Sequence, residues 1–305
     1  MKKLITLSLA AIFFIASNAQ AAGTLADGQK AYANKNYAQA IKIYKPLALK
    51  GDAIAQFSLG VMYEYGVGIK QDYAESVRWQ KLSATQGYAN AQYNLGVMYQ
   101  FGVGVAQDYA EAIKWNRLAA EQGNSGAQNN LGNHFNFGQG VAQDYAEAAK
   151  WYKLAAAQGN VESQYNLGVM YKKGQGVVQD YAESVRWWKL SATQGYANAQ
   201  YNLGVMYIDG NGVVQDYAEA LKLFKLSAAQ GNASAHYNLG VMYGEGQGVI
   251  QDYVSSHMWF NLAATTGDKD AIYNRDIIAR KMTSEQIGQA QKLARECLTR
   301  KYKGC

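Results

Sequence analysis

The residues whose type and spacing could support phosphate chemistry are glycine pairs of the form Gly-x-Gly. One pair, Gly102 and Gly104, lies in the segment YNLGVMYQFGVGVAQDYAEAIKW. A dinucleotide-binding loop needs a preceding strand and a third glycine that opens a helix. Here the preceding segment has a helical pattern, and Gln107 stands in the place of a third glycine. The pair recurs as Gly66/Gly68, Gly138/Gly140, Gly174/Gly176, Gly210/Gly212 and Gly246/Gly248. Because a nucleotide site is not needed six times at equal spacing, we interpret the pairs as structural.

Other sequence patterns of catalysis are absent. The chain has no Ser-x-x-Lys, Lys-Thr-Gly, His-Glu-x-x-His or Gly-x-Ser-x-Gly motif. Its histidines, His134, His236 and His257, lack the spacing of metal ligands. Glu75 could serve as a catalytic carboxylate, but its place three residues after Asp72 is that of a helix capping box. We therefore predict no catalytic residue, no metal and no cofactor.

The first residues predict export. Lys2 and Lys3 precede an apolar run, and Ala19-Gln20-Ala21 forms a small-x-small end, which is the pattern of a secretory signal peptide at residues 1–21. No later segment approaches twenty apolar residues, so no membrane span is expected. We expect a periplasmic or secreted protein.

Charge and cysteines restrict the partners and the redox chemistry. Without Lys2 and Lys3, 27 of the 29 basic residues remain against 23 acidic ones, a net charge of about +4. This excess does not require a polyanionic partner, and no nucleic-acid partner is predicted. Cys297 and Cys305 are the only cysteines, and in an oxidising compartment they are candidates for a disulfide.

A 36-residue unit organises the chain. It starts at Gln71 and recurs from residues 107, 143, 179, 215 and 251, with a degenerate copy from residue 35, giving seven copies. Each copy predicts two helices: Asp72 caps the first, Gly87 ends it, and the second runs from about Asn90 to Tyr99. We predict an all-α array with an N-terminal capping helix at 22–34, repeats over 35–286, and a C-terminal capping helix and tail at 283–305. In that last helix, Thr283 and Gln286 form a capping-box pattern.

These residues also carry a family resemblance. The features Ala-x₃-Leu-Gly-x₂-Tyr, Gly-x-Gly-Val, Asp-Tyr-x-x-Ala and Ala-Ala-x-Gln-Gly resemble the Sel-one-like repeat, a relative of the tetratricopeptide repeat, over roughly residues 34–270. The resemblance implies a right-handed α/α superhelical solenoid. It also implies an adaptor or inhibitor that binds another protein, and several bacterial relatives are exported. Relatives with cysteine pairs in every repeat have been described as binding or hydrolysing β-lactams. This chain lacks those cysteines, so that activity is not carried over.

One candidate binding patch is a departure from the repeat. The third copy reads NNLGNHF where most copies read YNLGVMY, and Gln80 and Asn116 fill a position that later holds large rings. Exposed aromatic residues at the nearby variable turn suit an interface hot spot. The alternative is neutral drift around buried waters. The patch comprises Tyr65, Gln80, Phe101, Asn116, Asn129, Asn133, His134 and Phe137.

A second candidate is a basic stripe on the first helices. Pairs three residues apart lie on one helical face, so stacking of repeats aligns them. The stripe could attract an acidic protein, an anionic glycan or lipid head groups. The alternative is a solvated face that pairs with the Glu75 row. Its residues are Arg78, Lys81, Lys114, Arg117, Lys150, Lys153, Arg186 and Lys189, and it continues through Lys42/Lys45 and Lys222/Lys225.

Together these observations predict an exported, non-catalytic scaffold, adaptor or inhibitor that acts as a monomer on another protein. A periplasmic immunity protein against a toxin is one specific version. The rival from another class is a cell-envelope enzyme or ligand-binding protein acting on peptidoglycan or β-lactams.

Overall fold

The computed structural model describes residues 23–305, and the predicted signal peptide at 1–21 lies outside them. Within this range there are sixteen α-helices and no strand, so the all-α class is confirmed. The helices are α1 (Leu25–Ala33), α2 (Tyr37–Leu49), α3 (Ala53–Tyr65), α4 (Tyr73–Thr85), α5 (Ala89–Phe101), α6 (Tyr109–Glu121), α7 (Ser125–Phe137), α8 (Tyr145–Ala157), α9 (Val161–Lys173), α10 (Tyr181–Thr193), α11 (Ala197–Asp209), α12 (Tyr217–Ala228), α13 (Ala233–Glu245), α14 (Tyr253–Ala264), α15 (Lys269–Ala279) and α16 (Ser284–Thr299). We call the even-numbered helices α2 to α14 first helices, and the odd-numbered helices α3 to α15 second helices.

Aspartates begin the first helices, but the predicted capping box at Asp72 and Glu75 is wrong. Asp72 Oδ1 accepts hydrogen bonds from the amides of Ala74 and Glu75, both at 3.0 Å. The Asp72 amide already donates to the Tyr63 carbonyl, so no donor remains for the Glu75 side chain. Glu75 instead binds Arg78. The same amide-to-carbonyl bond recurs at Asp108, Asp144, Asp180 and Asp216.

The Gly-x-Gly pairs are connectors, as predicted. Gly102 ends α5 in the left-handed conformation, with φ of 67°. Gly104 has φ of 69°, and a Cβ at this residue would overlap the Tyr73 carbonyl. Gln107 donates from Nε2 to the Gln100 carbonyl at 2.8 Å and so closes the turn.

The chain forms two compact units. The described part of unit 1 comprises residues 23–131 and 139–141, and unit 2 comprises 132–138 and 142–305. In unit 1, Tyr44, Met62 and Trp79 belong to one buried cluster, and Leu95 and Trp115 belong to another. Burying side chains of this size contributes about 1.5–3 kcal/mol each.

The core of unit 2 includes its last helix. Phe224, Leu239 and Trp259 are buried together with Ala290 and Cys297 of α16. The predicted capping box of Thr283 and Gln286 at the start of α16 is formed. A disulfide joins Cys297 to Cys305 and holds the C-terminal tail against this unit.

Glutamine side chains join successive repeats within each unit. In unit 1, buried Gln56 donates from Nε2 to the Ala48 carbonyl at 3.0 Å, and its Oε1 accepts from Gln86 Nε2 at 2.7 Å. Each amide therefore has a partner inside the protein, as buried polar groups require. The pair recurs as Gln92/Gln122 in unit 1 and as Gln164/Gln194 and Gln200/Gln230 in unit 2.

Candidate functional site

Three clefts of like construction lie along the second helices of unit 2. The first lies between the end of α7 and α9 over Tyr152, with a volume of about 320 Å³. The second lies between α11 and α13 over Phe224, with about 260 Å³. The third lies between α13 and α15 over Phe260, with about 370 Å³. In each cleft a ring from a first helix forms the floor and two second helices form the walls.

Glycines in the second helices place these rings. A Cβ at Gly204 would lie 2.7 Å from Cε1 of Phe224, and one at Gly240 would lie 2.7 Å from Cδ1 of Phe260. Only glycine allows a ring to pack this closely against the helix. The Leu-Gly step of the repeat thus sets the depth of the cleft floor.

Hydrogen bonds through Asn133 connect the floor of the first cleft, Tyr152, to Asn166 on its wall. Tyr152 donates its hydroxyl to Asn133 Oδ1 at 2.6 Å, and Asn166 Nδ2 lies 3.5 Å from the same oxygen. Burial raises the pKa of the Tyr152 phenol, so the hydroxyl stays protonated and remains a donor. This network fixes the Asn133 side chain. In the third cleft, Asn274 Nδ2 donates to the Tyr237 hydroxyl at 2.9 Å.

The rims of the clefts differ although their walls repeat. Phe137 and Lys173, which end α7 and α9, border the first cleft. Asp209 borders the second, and Glu245 borders the third together with Lys281. The rims therefore change from aromatic and basic, through acidic, to mixed charge along one repeated framework.

The residues of the predicted patch differ in how far they are buried. Tyr65, Phe101 and Phe137 are exposed, with 63–66% of the surface of each residue accessible. Gln80 and Asn116 are fully buried, and neither amide has a hydrogen-bond partner among the described residues. Asn129 and His134 are also buried, and Asn133 is half-buried. The patch stays a prediction as an interface: its rings are accessible, whereas Gln80, Asn116, Asn129 and His134 are enclosed by packing.

The basic stripe separates into two rows. In the first row, every residue binds the glutamate three positions before it, at 2.8–3.2 Å. Its members are Arg78, Lys114, Lys150, Arg186 and Lys222. The second row consists of Lys81, Arg117, Lys153, Lys189 and Lys225. None of these five has a carboxylate at ion-pair distance within residues 23–305. The alternative interpretation, pairing with the Glu75 row, thus accounts for one half of the stripe.

Comparison with known protein families shows which family the chain belongs to. The model of the Sel1 repeat matches residues 19–52, 53–88, 89–124, 125–160, 161–196, 197–232 and 233–268. The chain belongs to the Sel1 repeat family. The α-solenoid class that the resemblance implied is thereby confirmed. The family's repeat begins at the second helix, half a unit away from the starts chosen from the sequence, and the period is the same.

Solved structures of other Sel1 repeat proteins resemble this one. The Sel1 repeat protein from Oxalobacter formigenes is 34% identical, over 80% of this chain and 100% of that chain, with a TM-score of 0.71. The protein c5321, a protective antigen present in uropathogenic Escherichia coli strains displaying an SLR fold, is 32% identical over 87% of this chain, with a TM-score of 0.62. The present chain spans 65% of its length. No curated protein matches the chain.

Sel1 repeat proteins are protein-interaction scaffolds. In this member, no group of three or more His, Cys, Asp or Glu side chains within residues 23–305 could hold a metal ion. None of the helices in that range combines the length and apolarity that a membrane crossing needs.

Proposed function

We propose that this Sel1 repeat protein is an exported, non-catalytic adaptor or inhibitor that binds segments of another protein in the second-helix clefts of unit 2. The change of rim chemistry from cleft to cleft carries the proposal. A chain that repeats its framework so closely has no folding reason to vary Phe137, Lys173, Asp209 and Glu245, which are exposed and end equivalent helices. Different partner side chains at successive clefts would supply such a reason.

Export is part of this proposal and rests on the leader at residues 1–21. The intact mass of protein from the envelope fraction tests it, because a chain that retains residues 1–21 would show that the leader is not removed.

A charge-reversed rim tests the binding surface. In the variant K173E/D209K/E245K/K281E, four exposed rim charges change sign while the net charge stays the same. The matched control E147Q/K150Q removes one exposed ion pair on a first helix, also without a change in net charge. Wild type and control immobilised on beads are expected to capture the same envelope protein, identified by mass spectrometry, and the rim variant is expected to lose it. Equal capture by all three would place the interface elsewhere.

A separate assay tests the alternative hypothesis that the protein is an enzyme. Turnover of a chromogenic β-lactam or of peptidoglycan by the purified protein would contradict the non-catalytic assignment.

A further inference from the structure

Three lysines of the second basic row lie over tyrosine rings in unit 2. Lys153 Nζ lies 5.7 Å from the centroid of the Tyr171 ring, Lys189 lies 5.6 Å from Tyr207, and Lys225 lies 5.5 Å from Tyr243. Each lysine belongs to a first helix, and its tyrosine follows eighteen residues later on the second helix of the same repeat. The contact therefore recurs once in each of three consecutive repeats.

These contacts orient the three ammonium groups, and none of the three has a carboxylate at ion-pair distance among residues 23–305. The lysines are exposed, and a cation over an aromatic ring at such a site gains about 0.5–1 kcal/mol, enough to bias the side chain toward one position. The neighbouring first row differs, because Lys150, Arg186 and Lys222 each bind a glutamate. Side chains that are already oriented lose less entropy when a ligand binds them. The row Lys153, Lys189 and Lys225 is thus a set of ordered positive charges on one face of unit 2.

An apolar cleft lies at one end of this row. Lys225 borders a cleft of about 430 Å³ between α12 and α14, together with Leu221, Leu226 and Trp259. The disulfide-bonded tail supplies the remaining wall through Tyr302 and Cys305. The Tyr302 ring packs against His236, with 5.0 Å between centroids, so the tail is held in place at this wall. A volume of this size accommodates one large apolar side chain.

We propose that this face of unit 2 docks an acidic polypeptide segment whose carboxylates meet Lys153, Lys189 and Lys225 and whose apolar side chain enters the cleft beside Trp259. This inference rests on the proposed function. It specifies the chemistry of the partner segment that would contact the first helices. Charge complementarity selects the carboxylates. The apolar cleft next to Lys225 selects a polypeptide over an anionic glycan, because a glycan has no apolar side chain to fill it.

A designed peptide probes the surface directly. The probe is a fluorescein-labelled twelve-residue peptide with six glutamates and one phenylalanine near its end. Its twins carry glutamine in place of glutamate, or serine in place of phenylalanine. At 0.15 M salt, where the Debye length is about 8 Å, long-range attraction is screened. We expect fluorescence anisotropy to show binding of the probe, with each twin bound at least about fivefold more weakly.

Matched variants locate the site. The variant K153Q/K189Q/K225Q should bind the probe at least about tenfold more weakly than wild type. The control K114Q/K150Q/R186Q removes the same formal charge from first-row residues that each bind a glutamate and do not border the cleft, and it should lose less than about threefold. Leu226 is exposed, so L226S leaves the core intact, and it should abolish the preference for phenylalanine over serine. Circular dichroism of each variant confirms that it is folded.

Equal losses in the two triple variants would show a response to net charge alone and would overturn the proposal. So would absence of probe binding, or binding to heparin or to phosphatidylserine vesicles in its place. The outcome is separable from that of the proposed function. If the envelope partner is lost by the rim variant but kept by K153Q/K189Q/K225Q, the proposed function stands and this inference fails.

Discussion

At the residue scale, two glutamines show how much the partner of a buried amide matters. Gln80 and Gln92 are both buried in unit 1. The Gln92 amide donates to the Ala84 carbonyl at 3.1 Å and accepts from Gln122 Nε2 at 2.7 Å. The Gln80 amide has no partner among the described residues. A buried polar group without a hydrogen bond costs about 1–3 kcal/mol, so the same substitution should have opposite effects at the two sites.

We therefore expect Q80M to stabilise the protein and Q92M to destabilise it. Methionine is close to glutamine in volume, so packing changes little. Q80M removes an unpaired amide and should raise the free energy of unfolding by about 1–2 kcal/mol, whereas Q92M breaks two hydrogen bonds and should lower it by about 1–3 kcal/mol. Urea unfolding followed by circular dichroism measures both. A loss of stability in Q80M would mean that its amide is paired in solution, for instance with a buried water.

Some contacts of individual residues could not be predicted from the sequence. Gln80 was recognisable as unusual because Gln71–Tyr99 and Gln179–Tyr207 differ only at Gln80 and Trp188. Its enclosure was not recognisable, because burial depends on how closely Gly60 of the neighbouring helix approaches the side chain. The sequence also did not predict that the basic stripe divides into two rows. The glutamate partners are three residues away in the sequence, but the tyrosine partners lie on another helix.

At the element scale, the glutamine series ends where unit 2 meets its C-terminal cap. His236 takes the place of Gln200 in the next repeat and makes the same type of bond, from Nε2 to the Ala228 carbonyl at 3.0 Å. Its ring packs against Trp259 and Tyr302. Burial lowers the pKa of His236, and the carbonyl contact opposes this shift only in part. The folded protein therefore holds His236 neutral.

We expect the free energy of unfolding to decrease at acidic pH because of this histidine. The unfolded chain takes up a proton near pH 6.5, and the folded protein does so only at a lower pH, so stability falls as the pH decreases below about 6.5. His257 has a pKa lowered by burial and by Arg275, and it adds to the effect. H236Q restores the residue of the other repeats and should flatten the pH dependence of the midpoint of thermal unfolding between pH 7 and 5. An unchanged profile in H236Q would assign the dependence to other groups.

Element boundaries were readable where local chemistry decides them. The aspartate caps, the Gly102-type helix ends and the Thr283–Gln286 box all follow from interactions within one turn. The Asp72–Glu75 box failed because the Asp72 amide is taken by Tyr63, a residue of the preceding helix. Competition from another element is invisible to a pattern of four residues.

At the scale of the whole molecule, the 36-residue period determined most of what could be predicted. It gave the helical class and the number of repeats, which the family match supports. The division into two compact units could not be read from the period. It falls between Leu131 and Gly132, within the NNLGNHF segment where the repeat departs most from its consensus. The three clefts of unit 2 could not be predicted from the sequence, because each is formed by residues of three helices. The sequence does show that the turn positions on their rims vary from repeat to repeat.

Photo-crosslinking from single positions tests directly whether the cleft rims of unit 2 contact a protein partner. A benzophenone amino acid replaces Phe137, Asp209 or Glu245, and in controls Asn198 or Ser234, which are exposed near the starts of α11 and α13, at the opposite ends of these helices from Asp209 and Glu245. After irradiation of cells that produce the full-length protein, we expect one covalent adduct of the same mass from the rim positions and none from the controls. Adducts from the control positions alone, or equally from all five, would contradict it.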